Sequence, residues 1–243
     1  MPSTSRNRSA SAPRLGLRER NKLDKLRRIK DAARDLFVSR GFDNTTTREI
    51  ARLADVGLGT IFSYASDKRD LLFLIINDDL AGLTQTAADE LTPDLSVEKK
   101  LRSLWRHHYA FFSQQPRLSR LVLREQQFYE DTQQAMRFQA TRARLMGLIT
   151  GVIQQGQKSG ELTSAVEPEL ASRIIFGIYQ MELRDWLAHE PLDIKHGVAT
   201  LERSLALVIG PLRAAAARPA VVLPRTGAQG VRGSAVAAVK QRR

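Results

Sequence analysis

The chain has 243 residues, 42% of them hydrophobic, enough for one large core or two modest ones, and no uncharged apolar run approaches the roughly 18 residues of a membrane-spanning helix. The absence of cysteine excludes disulfide scaffolds and thiolate-ligated metals, and fits a reducing compartment. The net charge of +12 is uneven: residues 1–30 carry +8, residues 213–243 carry +7, and the segment between them carries −3. This pattern of basic arms on a mildly acidic body points to polyanionic partners, nucleic acid ahead of anionic membrane, with solubilising tails as the plainer alternative.

Residues 1–17 are rich in Ser, Arg, Pro and Gly and lack an apolar block. They read as a disordered basic arm and not as a secretory signal. The first helix places Leu23, Leu26, Ile29, Ala33, Leu36 and Phe37 at three- and four-residue steps, with Gly41 as its C-terminal stop. The second opens with capping-box spacing, Thr46 to Glu49, and turns Ile50, Leu53 and Ala54 inward. The stretch Asp55-Val56-Gly57 is too short to cross a domain and turns this helix sharply against the next, Leu58–Tyr64.

Longer helices follow over Lys68–Glu90, Ser96–Gln115, Arg117–Glu130 and Gln133–Lys158, the last closed by "GQKSGEL". Pro168–His189 is apolar nearly all round, and Ile194–Leu212 ends the folded part. Residues 213–243 are low in complexity and punctuated by Pro and Gly, a second disordered basic tail. No alternating strand pattern appears. The expectation is an all-α protein of about nine helices: a three-helix helix-turn-helix domain over residues 18–66, then a larger helical domain over residues 67–212.

The segment "GFDNTTTREIARLADVGLGTIFSYASDKRDLL", residues 41–72, resembles the DNA-binding signature of the TetR family of transcriptional regulators. The shared elements are Gly41-Phe42, the threonines, Ile50-Ala51, Ala54, Val56, Gly59-Thr60, Phe62, Tyr64, Lys68 and Leu71-Leu72. The resemblance implies that Thr47 and Arg48 touch phosphate or a base edge. It implies that Leu58, Gly59, Thr60, Phe62 and Ser63 face the major groove, and that Tyr64 and Lys68 contact phosphate. Two positions depart from the pattern: Gly57 stands where a capping Ser is common, and Ala65 where Phe is usual. Residues 58–66 contain no Lys, Arg, Asn or Gln, the side chains that read bases bidentately, so Arg48 and DNA shape are expected to carry most discrimination.

In the body, Trp105, His108 and Phe112 share one helix face with Tyr109 beside it. Together with Phe128, Phe176 and Tyr179 these residues read either as plain core or as cavity walls. The resemblance implies a cavity, and its lining suits a largely apolar small-molecule effector. Ile174, Ile178 and Met181 on the eighth helix and Leu201, Leu205 and Val208 on the ninth are candidates for a homodimer interface, the alternative being closure of a monomeric core. A two-fold dimer would bind double-stranded DNA at a palindromic operator.

Of the four histidines, the adjacent His107 and His108 lack acidic partners at helical metal-ligand spacing, and no nucleophile, phosphate-loop or paired-carboxylate motif appears, so no enzyme activity, metal or cofactor is expected. The reading is a cytoplasmic, nucleoid-associated regulator, a repressor ahead of an activator. A non-specific DNA-coating protein, driven by the basic arms, is the competing class.

Overall fold

The computed structural model describes residues 16–126 and 131–213, and within them nine helices. The two terminal arms lie almost wholly outside the described residues. The helices are α1 (Leu17–Ser39), α2 (Thr47–Leu53), α3 (Leu58–Phe62), α4 (Lys68–Asp89), α5 (Val97–Gln114), α6 (Pro116–Glu125), α7 (Gln133–Lys158), α8 (Pro168–Ala188) and α9 (Ile194–Leu212). The sixth helix is shorter than the expected Arg117–Glu130: Gln126 caps it, and residues 127–130 lie outside the described part.

Local chemistry explains most boundaries. Thr46 and Glu49 form the expected reciprocal capping box at the start of α2. Proline opens both α6 and α8, where its missing N–H costs nothing. Beyond α1, Gly41 adopts φ 87°, the left-handed conformation that ends helices, and Gly160 does the same after α7 at φ 78°.

Two apolar clusters divide the interior. One gathers Ile29, Ala33, Leu36 and Phe37 of α1, Ile50 and Ala51 of α2, Ile61 of α3 and the N-terminal half of α4, and continues into Leu118, Val122, Ala135 and Phe138 of α6 and α7. The other joins α5, the C-terminal half of α7, α8 and α9 around Leu104, Trp105, Tyr109, Ile149, Ile175, Tyr179, Leu183 and Leu201. Two inward expectations fail. Leu23 is 45% exposed and Leu53 is 55% exposed, because the first turns of α1 and the last turn of the short α2 run past the neighbours that would cover them.

Helices approach closely at Gly197 on α9. A β-carbon there would stand 2.6 Å from Cε1 of Tyr109 and 2.8 Å from Cδ1 of Trp186. Gly197→Ala is therefore expected to lower stability by about 1–3 kcal/mol, as a drop in the urea midpoint at constant slope. Gly147→Ala, at an open position on α7, should instead gain about 0.5–1 kcal/mol.

Candidate DNA-binding surface and effector site

The corner between α2 and α3 is held by a helix outside the pair. Asp55 takes φ 51°, strained for a residue with a β-carbon. From α1, Arg28 donates to the carbonyls of Ala54 at 2.8 Å and Asp55 at 3.1 Å, and meets the Asp55 carboxylate at 3.3 Å. Ile61 is fully buried and Val56 packs against the same apolar cluster, so the two short helices are seated on one core. Gly57 offers α3 no side-chain cap, as its departure from the family pattern suggested. Ala65 is buried.

On this frame, Arg48, Gly59, Phe62 and Ser63 are exposed, with Thr47, Leu58 and Thr60 half-buried. Phe62, on a helix of five residues, is 49% exposed, a large apolar side chain left at the surface of the protomer. Tyr64 and Lys68 have internal work as well. The Tyr64 hydroxyl donates to the Lys22 carbonyl of α1 at 3.3 Å. The Lys68 ammonium donates to the carbonyl of Phe42 at 2.7 Å and lies 4.5 Å from the centre of the Phe42 ring.

A buried polar junction, not legible from local spacing, ties this surface to the body. Asp70, in the first turn of α4, accepts from the Thr132 hydroxyl at 2.6 Å and from the backbone N–H groups of Gln134 and Ala135 at 2.8 and 3.1 Å, all on one carboxylate oxygen. Its other oxygen accepts from Ser66 N–H at 2.9 Å. Thr132, the nominal cap of α7, makes no capping bond itself, so a residue of α4 caps α7. The Gln134 side chain then donates to the Tyr64 carbonyl at 3.0 Å, and buried Asn77 donates to the Gln134 carbonyl at 2.9 Å. Beside them, buried Glu125 pairs with Arg69 at 3.0 Å and Arg124 at 2.7 Å.

In the body, all the expected cavity residues that are described are buried: Trp105, His108, Tyr109, Phe112, Phe176 and Tyr179. Phe128 lies outside the described residues. Trp105 stacks on Tyr179 with ring centres 4.5 Å apart, and His108 Nδ1 meets the Tyr179 hydroxyl at 2.9 Å. Burial, reinforced by the neighbouring His107, holds the His108 imidazole down at about 4. Burial likewise pushes the Tyr109 and Tyr179 hydroxyls up, so both stay protonated. Phe112 borders a cavity of ≈ 40 Å³, and Trp105 borders one of ≈ 160 Å³ between α5 and α9.

Outside Phe176 lies an open groove of ≈ 670 Å³ between α7 and α8, walled by Met146, Met181 and three arginines, Arg142, Arg173 and Arg184. The Arg142 guanidinium sits 4.9 Å from the Phe176 ring centre. Burial, and then the charge of Arg184, pulls Arg142 below its usual value. Phe176 in turn lies 5.8 Å from Tyr179, so the basic groove and the aromatic core share one wall. The spacing of Arg173, Gly177, Gln180, Met181 and Arg184 along α8 carried that signal, which the apolar reading of the helix passed over.

Of the expected dimer residues, Ile174 and Met181 are exposed at 44% and 57%, and Ile178 and Val208 are half-buried. Leu201 and Leu205 are buried in the protomer's own core. The α9 residue that stands out is Leu207, 80% exposed.

Comparison with known proteins follows the same division. The family model described as bacterial regulatory proteins, tetR family, matches residues 29–75, and the tetracyclin repressor-like C-terminal domain matches residues 94–186. The fatty acid metabolism regulator protein of Bacillus subtilis is 20% identical over 186 residues, covering 76% of this chain and 94% of that protein. The transcriptional repressor BepR of Brucella suis is 27% identical over 195 residues, covering 77% and 91%. Among solved structures, Thermus thermophilus FadR, a transcriptional repressor in complex with lauroyl-CoA, is 27% identical with a TM-score of 0.62, covering 80% of this chain and 98% of that one. Bacillus subtilis FadR in complex with stearoyl-CoA is 19% identical with a TM-score of 0.62, covering 77% and 99%, a likeness of fold.

Proposed function

The chain belongs to the TetR family of bacterial regulatory proteins, and from that membership we propose that it is a dimeric transcriptional repressor released from a palindromic operator by an acyl-CoA. The observation that carries the effector class is the shared wall at Phe176. An anionic head group would lie among Arg142, Arg173 and Arg184, while an apolar chain passes Phe176 into the core of α5 and α8. The lauroyl-CoA bound by the Thermus thermophilus relative supports the same class.

The dimer forms through the outward faces of α8 and α9, where Leu170, Ile174, Met181 and Leu207 are exposed apolar side chains on one protomer. Met181 also lines the basic groove, so the groove opens beside the seam between protomers. In DNA, Thr47 and Arg48 with the exposed side of α3 contact the major groove, once per protomer, and the protein works in the cytoplasm at the nucleoid.

Selection from a random DNA pool is expected to return an inverted repeat. Arg48→Ala should then lose about 1–3 kcal/mol and relax one operator position, whereas uniform weakening on all sequences would make Arg48 a phosphate contact. Lauroyl-CoA is expected to weaken operator binding about 100-fold, which needs about 2.7 kcal/mol of differential affinity. Neither coenzyme A nor laurate alone should do so at the same concentration, and release by laurate alone would overturn the assignment of the arginines.

A further inference from the structure

The helix α1 begins clear of the rest of the protomer. Residues 17–25 are helical and every one of them is exposed, about two and a half turns with no cover on any side. A helical segment without cover draws no stability from packing, and at that length its own backbone bonds are marginal. Gly16 supplies no side-chain cap, and Arg18 sets a cation in the first turn, where the helix dipole disfavours it. Neither packing nor capping accounts for these turns.

The face they present is the one that becomes core further along. At about 100° per residue, Arg18, Lys22 and Lys25 fall in line with Ile29, Ala33 and Leu36, which are buried in the cluster shared with α2, α3 and α4. One stripe is therefore cationic over the first turns and apolar over the rest, and it changes character where the cover ends. Tyr64 marks that edge: it packs against the apolar cluster, and its hydroxyl donates to the Lys22 carbonyl at 3.3 Å, so the cationic stripe begins beside the end of α3. None of the three cations has an acidic partner among the described residues. Asp24, on the same turns, is held by Arg27 at 2.8 Å and Arg28 at 3.2 Å, and Glu19 lies about 100° round the helix from Arg18.

We propose that Arg18, Lys22 and Lys25 form a second DNA contact, a stripe that binds the phosphate backbone beside the major-groove site. The inference rests on the regulator reading above. Three unpaired cations in line, over about 10 Å of helix, suit a row of phosphates. Two of them are lysines, point charges without the fork that grips a base edge, so the stripe positions the protein and carries no sequence information. Tyr64, at its edge, occupies a position where the family motif places a phosphate contact, so the stripe continues the DNA surface already described.

The test follows operator affinity of the full chain against salt concentration, on the inverted repeat that the native protein selects. Arg18→Gln, Lys22→Gln and Lys25→Gln are combined in one variant, which keeps helix propensity. A control variant replaces three exposed lysines of the body, Lys99, Lys158 and Lys195, in the same way. Each phosphate contact adds about 0.9 to the slope of log K against log salt, so losing three per protomer should lower the slope for a dimer by about 5, with the control unchanged. At about 0.1 M salt the stripe variant should bind at least about tenfold more weakly than the native protein, and it should still select the same repeat. A slope lowered no more than the control's overturns the stripe and leaves the regulator reading intact. Selection of a different repeat by the variant makes these side chains base readers and also overturns it. So does a native-like slope together with lost binding to phosphatidylglycerol vesicles, which assigns the stripe to a membrane surface. No preference by the native chain for any inverted repeat removes the regulator reading, and the stripe falls with it.

Discussion

Asp70→Ala is expected to cost about 3 kcal/mol of folding stability, a fall of about 6–12 °C in the melting temperature for a chain of this size. The carboxylate serves four donors: two N–H groups in the first turn of α7, the Thr132 hydroxyl and the Ser66 N–H. Losing a helix cap alone costs about 1–2 kcal/mol. Here the cap lies in a buried junction, so at least one further N–H is stranded without water, adding about 1–3 kcal/mol. Asp70→Asn keeps one acceptor oxygen and should lose roughly half as much. Urea denaturation of the full-length protein measures both. A loss below about 1 kcal/mol for the alanine variant would mean that α7 finds another cap.

The second large effect is a dependence on pH centred on His108. Its folded-state value, about 4, lies below the ordinary 6.5 because the ring is buried. Above pH 6.5 the ring is neutral in folded and unfolded chains alike and contributes no pH dependence. Between 6.5 and 4 the unfolded chain takes up a proton that the folded chain refuses, so stability falls as pH falls, by about 3 kcal/mol in all. Glu90 and Asp78 have values held below the usual carboxylate range, Glu90 chiefly by its hydrogen bond to His107 and Asp78 by that to Lys30, so their losses come at lower pH and leave the window distinct. His108→Phe should flatten the stability profile between pH 4 and 6.5, with denaturation at several pH values as the measurement. A profile as steep as the native one would place the titration elsewhere.

Features written in local chemistry were legible in the sequence. The capping box at Thr46 and Glu49, the limits of α7 and α9, and the left-handed turn at Asp55 each depend on a few adjacent residues. The two apolar sides of α8 were legible as well, because one helix can carry only so much apolar surface into its own core. Periodicity was a poorer guide to which side faces what. Leu201 and Leu205 share the apolar stripe of α9 and sit inside the protomer, whereas Leu207 stands off the stripe and is exposed. Leu53 failed for the same reason, since its period is right but the helix outruns its cover.

The polar junction was beyond reach of any local pattern. Asp70 meets Thr132, Gln134 and Ala135 more than 60 residues away, and only the packing of α4 on α7 brings them together. The basic groove is of the same kind, since Arg142 stands on a different helix from Arg173 and Arg184. The candidate DNA surface was the easier part. Its candidate residues fall in two short stretches, 47–48 and 58–64, and the family motif singles them out from sequence.

The apolar cluster that seats the recognition helix ends in side chains contributed by α6 and α7, with Phe73 of α4 stacked on Phe138 of α7 at 4.9 Å. The DNA reader is therefore not a portable module. Grafted onto a foreign body, or cut free by a protease after α4, it would carry an open apolar seam and seek some other cover, so a chimaera of two relatives would have to keep α6 and the first turns of α7 with the N-terminal helices.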